Sequence, residues 1–200
     1  MAKKMKILNN SKTILGMESY EITACAALAA ISAALQVVHV GWLSPWGMWI
    51  DLVAISWMIA YFLYGGRSAF VVSIVGALII TFIAPSTWLG AMMKWLATMP
   101  MFLVPLVMQK VSRLKLKDFR KPSLLVLAIV TAVLLRGAIV IPVNYYFAIP
   151  IWTGWTTAEA MNHIPWWIMF GMNAIQGVLE VLVAWLLVFR FKLDRFATWQ

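Results

Sequence analysis

Long apolar runs alternate with short polar or basic stretches along the whole chain. The runs extend from about Glu21 to Val40, Trp49 to Tyr64, Ser68 to Ala84, Leu89 to Met108, Ser123 to Ile141 and Trp166 to Phe189. Most reach the roughly 20 residues that a helix needs to cross a bilayer. Between them lie the Gly-, Ser- and Pro-containing connector Gly41 to Met48, the turn Gly65-Gly66-Arg67 and the break Pro85-Ser86-Thr87. A basic loop from Lys110 to Pro122 and a long aromatic connector from Pro142 to Pro165 complete the punctuation. The pattern predicts an all-α integral membrane protein with six transmembrane helices in one bundle. Span 2 is short for a crossing and opens with Asp51, a residue suited to a helix N-terminus. The chain divides into an N-terminal segment 1–20, a transmembrane domain 21–191 and a tail 192–200.

Composition agrees with this reading. Hydrophobic residues make up 64% and charged residues 12%, which is not the profile of a soluble domain. The formal charge of +9 does not point to nucleic acid, because the basic residues sit in short clusters between apolar runs. With six spans, every Lys and Arg except Lys94 and Arg136 falls on one side. The positive-inside rule then places both termini in the cytoplasm. The N-terminus is not read as a signal peptide, since Asn9, Asn10, Ser11, Lys12, Glu18 and Glu21 interrupt the place of an apolar core. Cys25 is the single cysteine and is read as a small core residue. Trp42, Trp46, Trp49, Trp88, Trp166 and Trp167 fall at outer span ends, where an aromatic belt belongs.

Charge inside a span is rare and marks either a snorkelling side chain or a polar pocket. Lys94 lies about 9 Å along its helix from Trp88, in the outer half. Arg136 is just over a turn from Ile141, also in the outer half. Asp51 starts span 2 at the outer face, Asn144 follows span 5, and Asn173 and Gln176 lie in the outer half of span 6. These groups share one depth and predict a pocket open to the outside. Glu180 sits near the bilayer centre, about 15 Å from Arg190. It is protonated, hydrogen-bonded within the bundle, or paired with another subunit. There is no nucleotide-binding loop, no His-Glu-x-x-His, no Cys/His cluster of metal-ligand spacing and no Gly-x-Ser-x-Gly elbow. No catalytic residue, metal site or cofactor is therefore assigned. Amides, a cation or two, one acid and many aromatics suit a planar amphipathic heterocycle.

Ala26, Ala30 and Ala34 repeat every four residues in span 1. Such a stripe lets another helix approach closely in lipid, from this chain or from a partner. Taken with Trp49-Ile-Asp-Leu52, Tyr64-Gly-Gly66, Gly90-Ala-Met-Met-Lys-Trp-Leu96, Asn144-Tyr-Tyr-Phe147 and Asn173-Ala-Ile-Gln-Gly177, the chain resembles the S components of energy-coupling-factor (ECF) vitamin transporters, most of all the riboflavin type. The resemblance covers about Ile22 to Phe189. It implies a subunit that captures a vitamin from outside and passes it inward when docked to a transmembrane coupling subunit and two ATPases. It also implies that the alanine stripe meets the coupling subunit and that Asn144 and Asn173 contact the flavin. Trp95 and Tyr145 would stack on the ring, Gln176 would hydrogen-bond it, Lys94 would face a carbonyl or hydroxyl edge, and Gly41 to Met48 would act as a lid. Riboflavin would be a transported substrate, not a cofactor. Three departures stand out: Gln176 where the family pattern has lysine, Lys94 where it has asparagine, and no lysine-asparagine pair near Ala77 and Leu78. The alternatives are an S component for another vitamin or precursor, or a membrane assembly subunit without a small ligand; an enzyme is more remote.

Overall fold

The computed structural model describes residues 16–38, 50–83 and 87–199. The predicted lid and the aromatic residues Trp42, Trp46 and Trp49 lie outside them, as does His39. Among the described residues, five long helices and a shorter one, α2, form the bundle: α1 Ser19–Val37, α2 Val53–Tyr64, α3 Gly66–Ile83, α4 Thr87–Ser112, α5 Pro122–Val143 and, after two short helices, α8 Trp166–Trp185. Five of these helical stretches are long and apolar enough to cross a membrane, and α2 is a shorter apolar helix. The predicted runs thus become helices with ends shifted by a few residues, the usual uncertainty of helix boundaries.

α2 explains its own brevity. At 1.5 Å per residue its 12 residues span about 18 Å, well short of a hydrocarbon core of about 30 Å. Almost every residue from Val53 to Leu63 is buried, and α2 packs against α1, α3 and α8. It need not match the lipid because protein surrounds it. Its exposed backbone ends are met by other chain segments, as helix termini require. At the start, the Val53 N–H donates to Asp51 Oδ1 at 3.1 Å. At the other end, the Leu63 carbonyl accepts from the Thr198 N–H at 3.2 Å and the Phe62 carbonyl from Trp199 Nε1 at 2.9 Å. Gly65, at φ 95°, makes the turn into α3 that a side chain would strain.

The start of α1 and the C-terminal residues up to Trp199 gather at this same basic end. Ser68, at the start of α3, donates to Glu21 on α1, Arg120 pairs with Asp194, and Trp185 Nε1 donates to the Phe119 carbonyl at 2.8 Å. A core of Tyr61, Phe62, Phe102, Phe119 and Phe189 fills the space between. A small apolar cavity there is lined by Met58, Met101, Pro105 and Val181, among others.

The stretch from Pro142 to Pro165 departs from expectation. It is read from sequence as a long aromatic connector, and Pro142 removes a helix hydrogen bond and crowds the preceding turn. In the structure the helix runs on. A wider π turn over Asn144–Ala148 follows the proline and leads into α6, Ile149–Thr153, so the helical run reaches 32 residues. Such turns accommodate a helix irregularity without ending it. Gly154, at φ 75°, then stops it. α7, Thr157–His163, starts with a reciprocal capping box between Thr156 and Glu159. These hydrogen bonds from Thr156 hold the exposed Glu159 carboxyl below the usual carboxylate range.

Candidate functional site

Polar residues of α4, α5 and α8, with Asp51 just before α2, meet in the half of the bundle away from the basic end. α8 supplies three of them on one stripe. Asn173, Gln176 and Glu180 follow i, i+3, i+7 spacing, so they share a face, and all are buried. Gly177 sits within that face. A Cβ there would stand 3.1 Å from an Arg136 guanidinium nitrogen and 3.2 Å from Met101, so the missing side chain lets α5 bring its arginine against α8.

Arg136 is 1% exposed, as is Glu180. Arg136 Nη1 donates to Glu180 Oε2 at 3.3 Å, and its Nε to Asn173 Oδ1 at 3.1 Å. Gln176 Nε2 donates to the other Glu180 oxygen at 2.9 Å. Asn173 completes its amide with a bond to the Met169 carbonyl at 3.0 Å. Each charge is therefore both paired and hydrogen-bonded, the condition under which ionic groups persist in an apolar interior. Of the alternatives left open for Glu180, the structure shows hydrogen bonding inside the bundle, to Arg136 and Gln176.

A second pair lies alongside. Lys94 of α4 donates to Asp51 Oδ2, while the other Asp51 oxygen caps α2. Lys94 stands within electrostatic reach of both Arg136 and Glu180. Its side chain keeps 13% of its surface accessible, more than any other ion of the two pairs. It joins α4 to the entry of α2.

The remaining predicted residues separate. Asn144 is buried, but its amide donates to the Val140 carbonyl of its own helix at 2.9 Å. The Tyr145 hydroxyl donates to the Ile164 carbonyl, and its ring packs with Ile149, Ile164 and Met169 in an apolar layer. Trp95 follows Lys94 by one residue, hence by about 100° around the helix. It turns to α3, where its Nε1 donates to Ser73 Oγ at 3.1 Å and its ring meets Phe70 edge-on. The structure thus joins Asp51 with Lys94 and ties Asn173 and Gln176 to Arg136 and Glu180, while Trp95 faces elsewhere. Arg136 and Glu180 are the centre of this network, and neither is among the binding residues selected from sequence. The stripe of Asn173, Gln176 and Glu180 was the available signal for Glu180.

On α1, the face of Glu21, Cys25, Ala29, Ser32 and Gln36 is buried. Ala26, Ala30 and Ala34 all lie on the exposed side. No three His, Cys, Asp or Glu among the described residues are grouped to hold a metal ion.

The fold is that of a multi-pass helical membrane protein. More specifically, it is similar to a solved structure of the S component of a bacterial ECF transporter, with a TM-score of 0.65 over 86% of this chain and 95% of that one. Sequence identity is 20%, so the likeness is one of fold. No family model and no curated protein sequence matches the chain.

Proposed function

We propose that the chain is the substrate-capture subunit of an ECF transporter, binding riboflavin or a related flavin from outside the cell for ATP-driven uptake. The observation that carries this reading is the fold likeness, which spans nearly the whole of the S-component structure. The polar cluster supports it, since it gathers side chains of α4, α5 and α8 and of Asp51, just before α2, at the end opposite the basic loops. Lys94, partly accessible and beside the Asn173 network, is the group that would face a carbonyl edge of the ring. Asn173 and Gln176 would exchange an internal hydrogen bond for one to the ligand. The clustering of basic residues at the other end favours a cytoplasmic location for both termini. The exposed Ala26, Ala30 and Ala34 give α1 a close-packing face for a transmembrane coupling subunit, and two partner ATPases would supply hydrolysis.

The test is riboflavin titration of protein purified in mild detergent, read by flavin fluorescence. Saturable quenching is expected, and weaker quenching by the Lys94→Ala/Asn173→Ala variant. Unchanged affinity in that variant would remove the site assignment. The second reading is an S component for another vitamin or precursor. It is favoured by Lys94 and Gln176, which both depart from the riboflavin-type pattern, and a protein indifferent to flavin would select it.

A further inference from the structure

The segment that follows α8 has two unlike sides. A π turn over Leu186–Arg190 ends the helix. Lys192, left-handed at φ 61°, then turns the chain into a short 3-10 helix, Leu193–Phe196. Leu193, Ala197 and Trp199 pack on the core of the basic end. Buried Asp194 pairs with Arg120, and the Thr198 N–H and Trp199 Nε1 donate to carbonyls at the end of α2. These contacts hold residues 190–199 against the end of the bundle. The other side carries Arg190, Phe191, Lys192, Arg195 and Phe196, all exposed. Phe191 is 71% and Phe196 54% exposed, and the Arg195 guanidinium lies 4.7 Å from the centre of the Phe196 ring. Among the described residues, none of these three cations has an acid within salt-bridge distance. Phenyl rings fixed beside unpaired cations suit the boundary between acyl chains and headgroups, where rings enter hydrocarbon and cations meet phosphate.

We propose that residues 190–196 form a binding site for an anionic phospholipid of the leaflet at the basic end. Arg190, Lys192 and Arg195 meet its headgroup charge, and Phe191 and Phe196 enter among its acyl chains. A zwitterionic phospholipid offers the same hydrocarbon but no net charge to balance the cations. Each Lys or Arg close to an anionic leaflet favours the association by about fivefold. The contacts of Asp194, Thr198 and Trp199 set the segment in place beforehand, so it need not be ordered when the lipid arrives. The proposal requires only a bundle embedded in a membrane and does not depend on which ligand is transported.

The experiment places a dansyl group at residue 198 of the full-length protein, through Cys25→Ser and Thr198→Cys, in phosphatidylcholine vesicles. Nitroxide-labelled phosphatidylglycerol or nitroxide-labelled phosphatidylcholine is then added as quencher. Half-maximal quenching is expected at a mole fraction of phosphatidylglycerol at least about fivefold below that of phosphatidylcholine, the effect of one such cation. Arg190→Gln/Lys192→Gln/Arg195→Gln should bring the two lipids within about twofold of each other. Phe191→Ser/Phe196→Ser keeps every charge and should weaken quenching by both lipids. Near-ultraviolet circular dichroism of the tryptophans checks that each variant is folded. If the triple variant does not fold, Arg195→Gln alone should lower the preference, and no change there overturns the site. Equal quenching of the parent protein by the two lipids also overturns it, and leaves this face to water or to a protein partner. An equal loss of preference in Lys110→Gln/Lys115→Gln/Lys117→Gln would assign the effect to the diffuse charge of the whole end and overturn the site as well. Riboflavin titration of the same samples reports separately on the flavin reading.

Discussion

Breaking the Arg136–Glu180 pair from one side should cost far more than replacing it whole. Arg136→Met removes the guanidinium and leaves the Glu180 carboxylate, 1% exposed, with the Gln176 amide as its hydrogen-bond donor. Glu180→Leu leaves the guanidinium with Asn173. Each single change strands a buried charge, an effect of about 3–5 kcal/mol where it has been measured in soluble proteins. Replacing both partners by apolar residues removes the stranded charge and is expected to be close to neutral. The double-mutant cycle should therefore give a coupling of at least about 3 kcal/mol. That is well above the roughly 0.6 kcal/mol typical of interhelical hydrogen bonds in a membrane protein. The assay is equilibrium unfolding in detergent titrated with denaturing surfactant, followed by tryptophan fluorescence. Additivity within about 0.5 kcal/mol would show that the two side chains do not form a pair, and the network drawn around them would have to be abandoned.

Two further outcomes follow from the surface. Ala30→Leu places a bulky side chain on the exposed face of α1 and should leave flavin affinity within about twofold, since surface changes away from special features stay within about 0.5 kcal/mol. The same substitution should sharply reduce co-purification with a coupling subunit, and unchanged co-purification would remove that face from the docking surface. The capping box of α7 should depend on pH. The Glu159 carboxyl is held below its ordinary value by Thr156, so its contribution is present above the unfolded value of about 4.3. It is lost as pH falls through the lower folded value. Amide exchange in 157–163, corrected for the intrinsic pH dependence, should therefore rise below about pH 4 in the wild type and show no such step in Glu159→Gln. A step retained in that variant would assign the effect elsewhere.

Much of the architecture was legible in the sequence because lipid imposes a simple rule: apolar runs of sufficient length become helices. The helices of α1, α3, α4 and α8 fall where the runs place them. The extension of α5 was not legible, since Pro142 reads as a stop and only the π turn after it shows how the chain continues. Depth arithmetic brought Lys94, Asn173 and Gln176 to one level, but depth does not give rotation. Trp95 and Lys94 are neighbours in sequence yet face α3 and Asp51 respectively. Nor does depth give reach: the long side chain of Arg136 extends to Glu180, 44 positions later in the chain. The pairing depends on Gly177, whose part in it appears only once α5 and α8 are seen together.

The short α2 carries a consequence for biogenesis. A helix of 12 residues is too short to partition into lipid as an independent span, and the carbonyls at its end are met by residues 135 and 137 positions downstream. α2 therefore depends on parts of the chain that are translated much later. Closing so long a loop adds entropy cost before its contacts form. The end of α2 acquires its hydrogen-bond partners only when that distal segment has been made and has folded back onto it.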